Sequence, residues 1–212
     1  VGYGASYYNR PQVFVLAGNW DLPFGKGQAF GNDKPKWMNE IIGGWALNGT
    51  LTIEKGLPYT PSYASCSADI DTGPCRPSGT GAPYDLGAGS FDPVNHVVTY
   101  FQTSPTVLGN GQSFGPYMRP AAGTFGNIFR DSLNGPGLIN TDLSVAKTFA
   151  ITERVGFQFR TDFFNLFNHP NLGEPNPCVD CQNGTAGKIT DIISTQDGSS
   201  MRRLQFGFRV TF

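Results

Sequence analysis

Over the last nine residues, apolar and polar side chains alternate without a break: Leu204, Phe206, Phe208, Val210 and Phe212 are separated by Gln205, Gly207, Arg209 and Thr211. A period of two places successive side chains on opposite faces of an extended chain, so this segment predicts a strand with one greasy face. The pattern recurs where Val155, Phe157, Phe159, Thr161 and Phe163 alternate with Arg154, Gln158, Arg160 and Asp162. A third instance sets Leu143, Val145 and Phe149 against Asn140, Asp142, Ser144 and Thr148. There Lys147 falls on the apolar parity, where it must snorkel or mark a bulge. Trp45, Leu47, Leu51 and Ile53 alternate with Ala46, Asn48, Thr50, Thr52 and Glu54, and Phe14, Leu16, Trp20 and Leu22 with Val13, Val15, Ala17, Asn19 and Asp21. Five strands are expected, with cores at 13–22, 45–54, 140–149, 154–163 and 204–212 and outer limits near 12–23, 43–56, 138–150, 153–168 and 201–212.

Each strand has about the ten residues that a tilted strand needs to cross a bilayer. Rows of Phe facing water would invite aggregation, whereas a lipid-facing wall resolves that conflict. The connections differ in length: three residues at 150–152 suffice for a tight turn, while 57–136 and 169–200 are long Gly/Pro/Asn-rich loops. The 23–39 connection is intermediate and is the most basic stretch, with Gly25-Lys26-Gly27 and Lys34-Pro35-Lys36. Short periplasmic turns and long external loops are the habit of outer-membrane barrels. The fold class expected is therefore all-β: an antiparallel meander of about five long strands, an open fragment of a transmembrane β-barrel with long extracellular loops. Its polar parity carries Asp142, Arg160, Asp162, Gln205 and Arg209, which would face the lumen, either against a plug or substrate or as cross-strand pairs in a wet interior. Because the apolar parity is odd on one arm of the third hairpin and odd on the other, its loop should have an odd number of residues, and Asp142 is expected opposite or diagonal to Arg160.

Composition narrows this further. Of 212 residues only 15% are charged, while 28 Gly and 16 Pro disfavour long soluble helices. Aromatics at 13%, with 17 Phe, exceed what a disordered linker carries. No run of about 18 apolar residues exists for a spanning helix. A formal charge of −1 gives no global attraction to nucleic acid, and no nucleic-acid partner is expected. The first residues, Val-Gly-Tyr-Gly, read like the middle of a loop, and the chain is taken as a piece of something longer.

Candidate chemistry is sparse. Cys66 and Cys75, and Cys178 and Cys181, fall in the two long loops. An oxidising envelope favours local disulfides that staple loops too polar to pack; a four-Cys zinc site would need both loops to converge, and Cys178-Val-Asp-Cys181 also has a redox spacing. The two histidines, His96 and His169, lie in no catalytic constellation, and Gly109-Asn-Gly111 and Gly135-Pro-Gly137 have no following helix to cradle a phosphate. No enzyme activity, catalytic residue, metal or cofactor is expected.

Four segments together resemble a known family. They are Asn19-Trp-Asp-Leu-Pro-Phe-Gly-Lys-Gly27; Ile42-Gly-Gly-Trp-Ala-Leu-Asn-Gly-Thr-Leu51 leading to Gly56-Leu-Pro-Tyr-Thr-Pro61; Phe159-Arg-Thr-Asp-Phe-Phe-Asn-Leu-Phe-Asn-His-Pro170; and the 204–212 strand. In this order they resemble the C-terminal barrel of TonB-dependent outer-membrane receptors, in particular the Oar-like group with a carboxypeptidase-regulatory-type N-terminal domain. The family's plug, its energy-coupling box and most of its roughly 22 strands have no counterpart here. The resemblance implies a bacterial outer-membrane location and energised uptake of an unidentified substrate. It implies as partners the remaining barrel strands and plug of the parent chain, a TonB-type energy-coupling complex acting through that plug, the barrel-assembly machinery and outer-membrane lipid. It also implies that Leu204, Phe206, Phe208, Val210 and Phe212 form the terminal assembly signal. A passive porin-like or structural barrel and a secreted β-sandwich adhesin are the alternatives.

Overall fold

The computed structural model describes residues 4–63, 75–83, 90–101, 105–108, 111–121, 123–152, 154–180, 185–193 and 201–212. The chain divides into two compact units, a sheet unit (Val13–Glu54, Leu138–Asn171 and Ser194–Phe212) and a loop unit (Val1–Gln12, Lys55–Gly137 and Leu172–Ile193).

The sheet unit contains five antiparallel strands in chain order: the first is Val13–Asp21, the second Trp45–Glu54, the third Leu138–Ala150, the fourth Gly156–Phe164 and the fifth Arg203–Thr211. One strand occupies each span marked out by the hydrophobic alternation, and the sheet is the expected meander. Register follows the pattern. Leu16 pairs with Leu51, Val145 with Leu47, Phe149 with Phe157, and Phe159 with Phe208, so the greasy parity is continuous across all five strands. A slip of one residue anywhere would put one strand's apolar set among the polar side chains of its neighbour. Pairing of Ala150 with Gly156 leaves a five-residue turn, 151–155, and this odd count keeps Phe149 and Phe157 on one face. Ile151 N and Thr152 N both donate to Val155 O, and Val155 N donates to Thr152 Oγ1. The outer edges of the first and fifth strands have no strand partner among the described residues.

The 22–44 connection contains a short helix, Lys36–Ile42, which the hydrophobic alternation gave no sign of. Gly44 joins it to the second strand with φ +69°, and a Cβ there would lie 2.4 Å from Thr148 O. Only glycine accommodates both the left-handed turn and that approach, which accounts for Gly43-Gly44 ahead of Trp45.

The loop unit has its own small sheets. Pro58–Tyr59 pairs with Leu133–Asn134; Val97–Thr99 lies between Ser90–Asp92 and Lys188–Ile189; and Ser78–Gly79, Tyr117–Met118, Gly111–Phe114 and Pro105–Leu108 form a four-stranded sheet. Tyr59, Tyr63, Phe101, Tyr117, Ile128 and Val179 make its core, with the Tyr59 and Phe101 rings stacked at 6.2 Å and Phe101 edge-on to Tyr117 at 5.2 Å. This corrects the expectation that these loops are too polar to pack: aromatic residues scattered too far apart to register as a periodic element converge in space. Cys75 packs against this core, and Cys75 and Cys178 are both disulfide-bonded. Cys66 and Cys181 lie outside the described residues. Sulfurs committed to disulfides, as those of Cys75 and Cys178 are, are not thiolate ligands.

Candidate functional site: a sheet with two unlike faces

Pairing assigns every strand side chain to one of two faces. On the apolar face the rings form a ladder across the third, fourth and fifth strands: Phe149 to Phe157 at 6.2 Å, Phe157 to Phe208 at 6.1 Å, and Phe159 to Phe206 at 6.0 Å. Phe149, Phe157 and Phe159 are half-buried within the ladder, and the rings at its outer strand are open. Phe206 is 59% and Phe208 69% exposed, and Phe14, Leu16, Trp20 and Val210 are exposed as well. A contiguous apolar surface of this extent marks contact with a partner or with lipid.

The opposite face holds Asp142, Arg160, Asp162, Gln205 and Arg209. Asp162 is level with Ser144 and Gln205, and Arg209 with Gln158. Arg160 is level with Ala146 and Gly207, four residues along the third strand from Asp142, so the expected Asp142–Arg160 pair does not form. The turn at 151–155 sets this register, and it puts Asp142 at the far end of the strand from the turn. Arg160 instead bonds its own strand neighbour, with Nε 2.6 Å from Asp162 Oδ1. With the Arg160 side chain about half exposed, the pair contributes at most about 1 kcal/mol in water.

Asp142 has another task. Its Oδ1 accepts from Asn165 N at 2.9 Å, and its Oδ2 from Asn140 Nδ2 at 3.0 Å. Asn165, 2% exposed and at φ 48°, donates from Nδ2 to His169 O and accepts from His169 N at Oδ1. Asn168, at φ 52°, accepts from Arg202 N, and Asn171 Oδ1 accepts from Ile139 N. Together these bonds tie the end of the fourth strand to the start of the third and to the residue preceding the fifth. Of this clamp the sequence offers only Asp142 as a candidate site residue; Asn165, Asn168 and His169 stand in the 159–170 segment with no role assigned to them there. The available signal was the residue type, since asparagine after a strand tolerates the left-handed backbone and its amide bonds locally.

Lys147 keeps its apolar parity with no bulge, level with Trp45 on one side and Phe159 on the other. It is only 4% exposed; its ammonium donates to Gly43 O and lies 5.3 Å from the Trp45 ring centre and 5.0 Å from that of Phe149. It is the only charged side chain on that face of the five strands, and cation–π contact with a carbonyl acceptor replaces its water.

In the loop unit, Tyr63 is held protonated above the ordinary tyrosine range by burial, against the opposing pull of Arg119, whose guanidinium lies 5.4 Å from the Tyr63 ring centre. Asp131 Oδ1 accepts from Thr60 Oγ1 at 2.8 Å, and Arg130 pairs with the same carboxylate at 3.2 Å. Among the described residues no three His, Cys, Asp or Glu side chains gather where they could hold a metal. No described helix is long and apolar enough to cross a membrane, so any crossing falls to the strands.

No characterised protein and no solved structure is detectably similar to the chain. A family model described as an outer membrane beta barrel domain matches residues 1–205. With that match over nearly the whole chain, a five-stranded sheet that is apolar and exposed on one face and polar on the other, and strands of membrane-crossing length, the chain belongs to the outer membrane beta barrel domain family and its sheet is barrel wall in the bacterial outer membrane.

Proposed function

We propose that this wall belongs to a TonB-dependent receptor and takes part in energised uptake of a substrate, with no enzymatic step. The observation that carries the reading is the unequal treatment of the two ends of the sheet. At one end a five-residue turn joins the third and fourth strands, while the connections leaving the other end, 55–137 and 165–202, contribute most of a separately packed, disulfide-bonded loop unit. A passive pore gains little from an elaborated and cross-linked loop unit, whereas a receptor needs rigid external loops to capture a ligand before transport.

In this reading the loop unit is external and takes part in capture, and Asp142, Arg160, Asp162, Gln205 and Arg209 face a lumen that a plug fills. Five strands fall short of the eight or so that close the smallest membrane barrels, so both sheet edges pair with further strands of the parent. The fifth strand is the edge offered to the barrel-assembly machinery, with backbone pairing for affinity and Leu204, Phe206, Phe208 and Val210, followed by Phe212, for selectivity. The energy-coupling complex acts through the plug.

The parent open reading frame is the first test: a plug domain with an energy-coupling box ahead of the barrel is expected. A closed barrel with no plug, whose permeation persists after the proton-motive force is collapsed, would replace this reading with a passive pore. Deleting Phe212 from the full-length protein should lower its amount in the outer membrane and leave the function per folded molecule intact.

A further inference from the structure

The Lys36–Ile42 helix does not continue the sheet, and hydrogen bonds at its C-terminal end identify the face which that end adjoins. Trp45 and Lys147 both project from the apolar face, and each reaches a carbonyl at the C-terminal end of this helix: Trp45 Nε1 donates to Ile41 O at 2.9 Å, and the Lys147 ammonium donates to Gly43 O. The C-terminal end of the helix is therefore tied to the lipid side of the wall, beside the end of the sheet that carries the 151–155 turn. This also accounts for Lys147: a lone cation on a lipid-facing surface is costly at mid-bilayer and nearly harmless at the interface, and here the helix end covers it.

Pinned in this way, the helix presents residues that no described part of the protein covers. Trp37 and Ile41, one turn apart on the same stripe, are 63% and 60% exposed. Phe30 is exposed beside them in sequence, and Lys26, Lys34 and Lys36 are exposed too. Gly25, at φ +109°, brings the Gly25-Lys26-Gly27 turn against the same helix end, since a Cβ there would lie 2.7 Å from Gly43 Cα. An exposed Trp and Ile stripe, lysines on its flanks and continuity with a lipid-facing wall are the features of a helix lying in the plane of a membrane interface.

We infer that the 23–44 segment is an in-plane lipid anchor, whose Trp37 and Ile41 enter the headgroup boundary of the leaflet at the short-turn end while Lys26, Lys34 and Lys36 contact anionic phospholipid phosphates. The inference rests on the outer-membrane barrel and not on the identity of the transporter. Barrel walls grip the interface with aromatic side chains on strands; here a connection adds a second layer outside the wall and ties it down through Trp45 and Lys147. The lysines favour phosphatidylglycerol over a zwitterionic lipid through the surface potential.

The test uses the full-length protein in phosphatidylcholine vesicles with and without phosphatidylglycerol. An environment-sensitive fluorophore is placed by Trp37→Cys or, independently, by Ile41→Cys, with Asp33→Cys and Phe208→Cys as references. Lipid brominated near the headgroup is expected to quench probes at 37 and 41 at least about twofold more than aqueous iodide does, as for an interfacial helix. The probe at 33 should show the reverse order, and phosphatidylglycerol should strengthen quenching at 37 and 41 unless Lys34→Gln and Lys36→Gln are also present. Dominant iodide quenching at 37 and 41 would place the helix in water and overturn the anchor. Protection from both quenchers would mean that protein covers the stripe, and would overturn it equally. In either case lipid quenching at 208 would leave the barrel standing; loss of lipid quenching at 208 as well would remove the barrel and the anchor together.

Discussion

The sheet unit and the loop unit use the same aromatic residues in opposite ways. Phe101 and Tyr117 in the loop unit have no exposed surface, whereas Phe206 and Phe208 in the sheet are mostly exposed. The loop unit has a core of its own, with rings stacked inside and polar groups such as Asp92 and Arg130 on or near the surface. The sheet has no such core. Among its apolar side chains only Ala146 is buried, and its continuous greasy face is open to whatever surrounds the wall. The contrast shows two solvents acting on one chain: burial is satisfied by protein in the loop unit and by lipid around the wall.

That contrast can be broken most forcefully in the loop core. Phe101→Ala should destabilise the loop unit by about 3–5 kcal/mol through lost burial and an unfilled cavity, read as faster hydrogen exchange at 58–63 and 97–101. Strand protection in the bilayer should be unaffected. If the strands lost protection to the same extent, the two units would not be separate solvent problems.

Phe206→Arg attacks the wall at mid-strand, level with Thr161 and Val145 and further from the 151–155 turn than Lys147. On the lipid face it should cost about 2–4 kcal/mol in urea unfolding from vesicles, with loop exchange unaltered. A neutral result would mean that this face meets water or protein and not lipid.

Smaller effects lie at the junctions. Asn165→Ala deprives His169 N and His169 O of their buried side-chain partners and leaves alanine in a left-handed backbone; a loss of about 1–3 kcal/mol is expected, with fraying confined to the ends of the third and fourth strands. Arg160→Gln should change stability by less than about 1 kcal/mol, since the pair it removes lies within one strand and faces water.

The smallest effect expected is a local pH response. Asp92 Oδ2 accepts from Asn95 Nδ2, and its Oδ1 from Val94 N and Asn95 N; together these bonds hold its carboxyl below the ordinary aspartate range. A depressed value in the folded state means that the turn is fully supported above the unfolded pKa and loses that support as pH falls through the folded one, below about pH 4. Amide exchange at Val94 and Asn95 should accelerate there relative to the intrinsic rate, and Asp92→Asn should remove the pH dependence.

Much of the sheet was legible before any coordinates. Period-two alternation is a local signal: each of Leu204, Phe206, Phe208 and Val210 reports its face through its neighbours, so strand identity and lateral parity follow from short windows. The even-numbered polar set, Asp142, Arg160, Asp162, and the odd turn length follow from the same arithmetic. The Asp142–Arg160 pairing did not, because parity leaves the register open by steps of two, and only the Ala150–Gly156 closure chose among them. The Lys36–Ile42 helix was equally hidden, being too short for a periodic signal and opened by Pro35 with no side-chain cap.

By itself, then, the sequence determined that five segments are strands, which side chains share a face and that one face is too apolar for water, because these depend on residues two apart. Only the tertiary structure decided that Tyr59, Tyr63, Phe101, Tyr117 and Val179 meet in one loop core, and that Asn165 and Asn168 clamp strand ends. It alone decided that Lys147 bonds the carbonyl of Gly43, more than a hundred residues upstream at a helix end. These contacts join residues far apart in the chain, and which of them form depends on how the intervening loops close, a choice made by the free energy of the whole fold and carried by no local pattern.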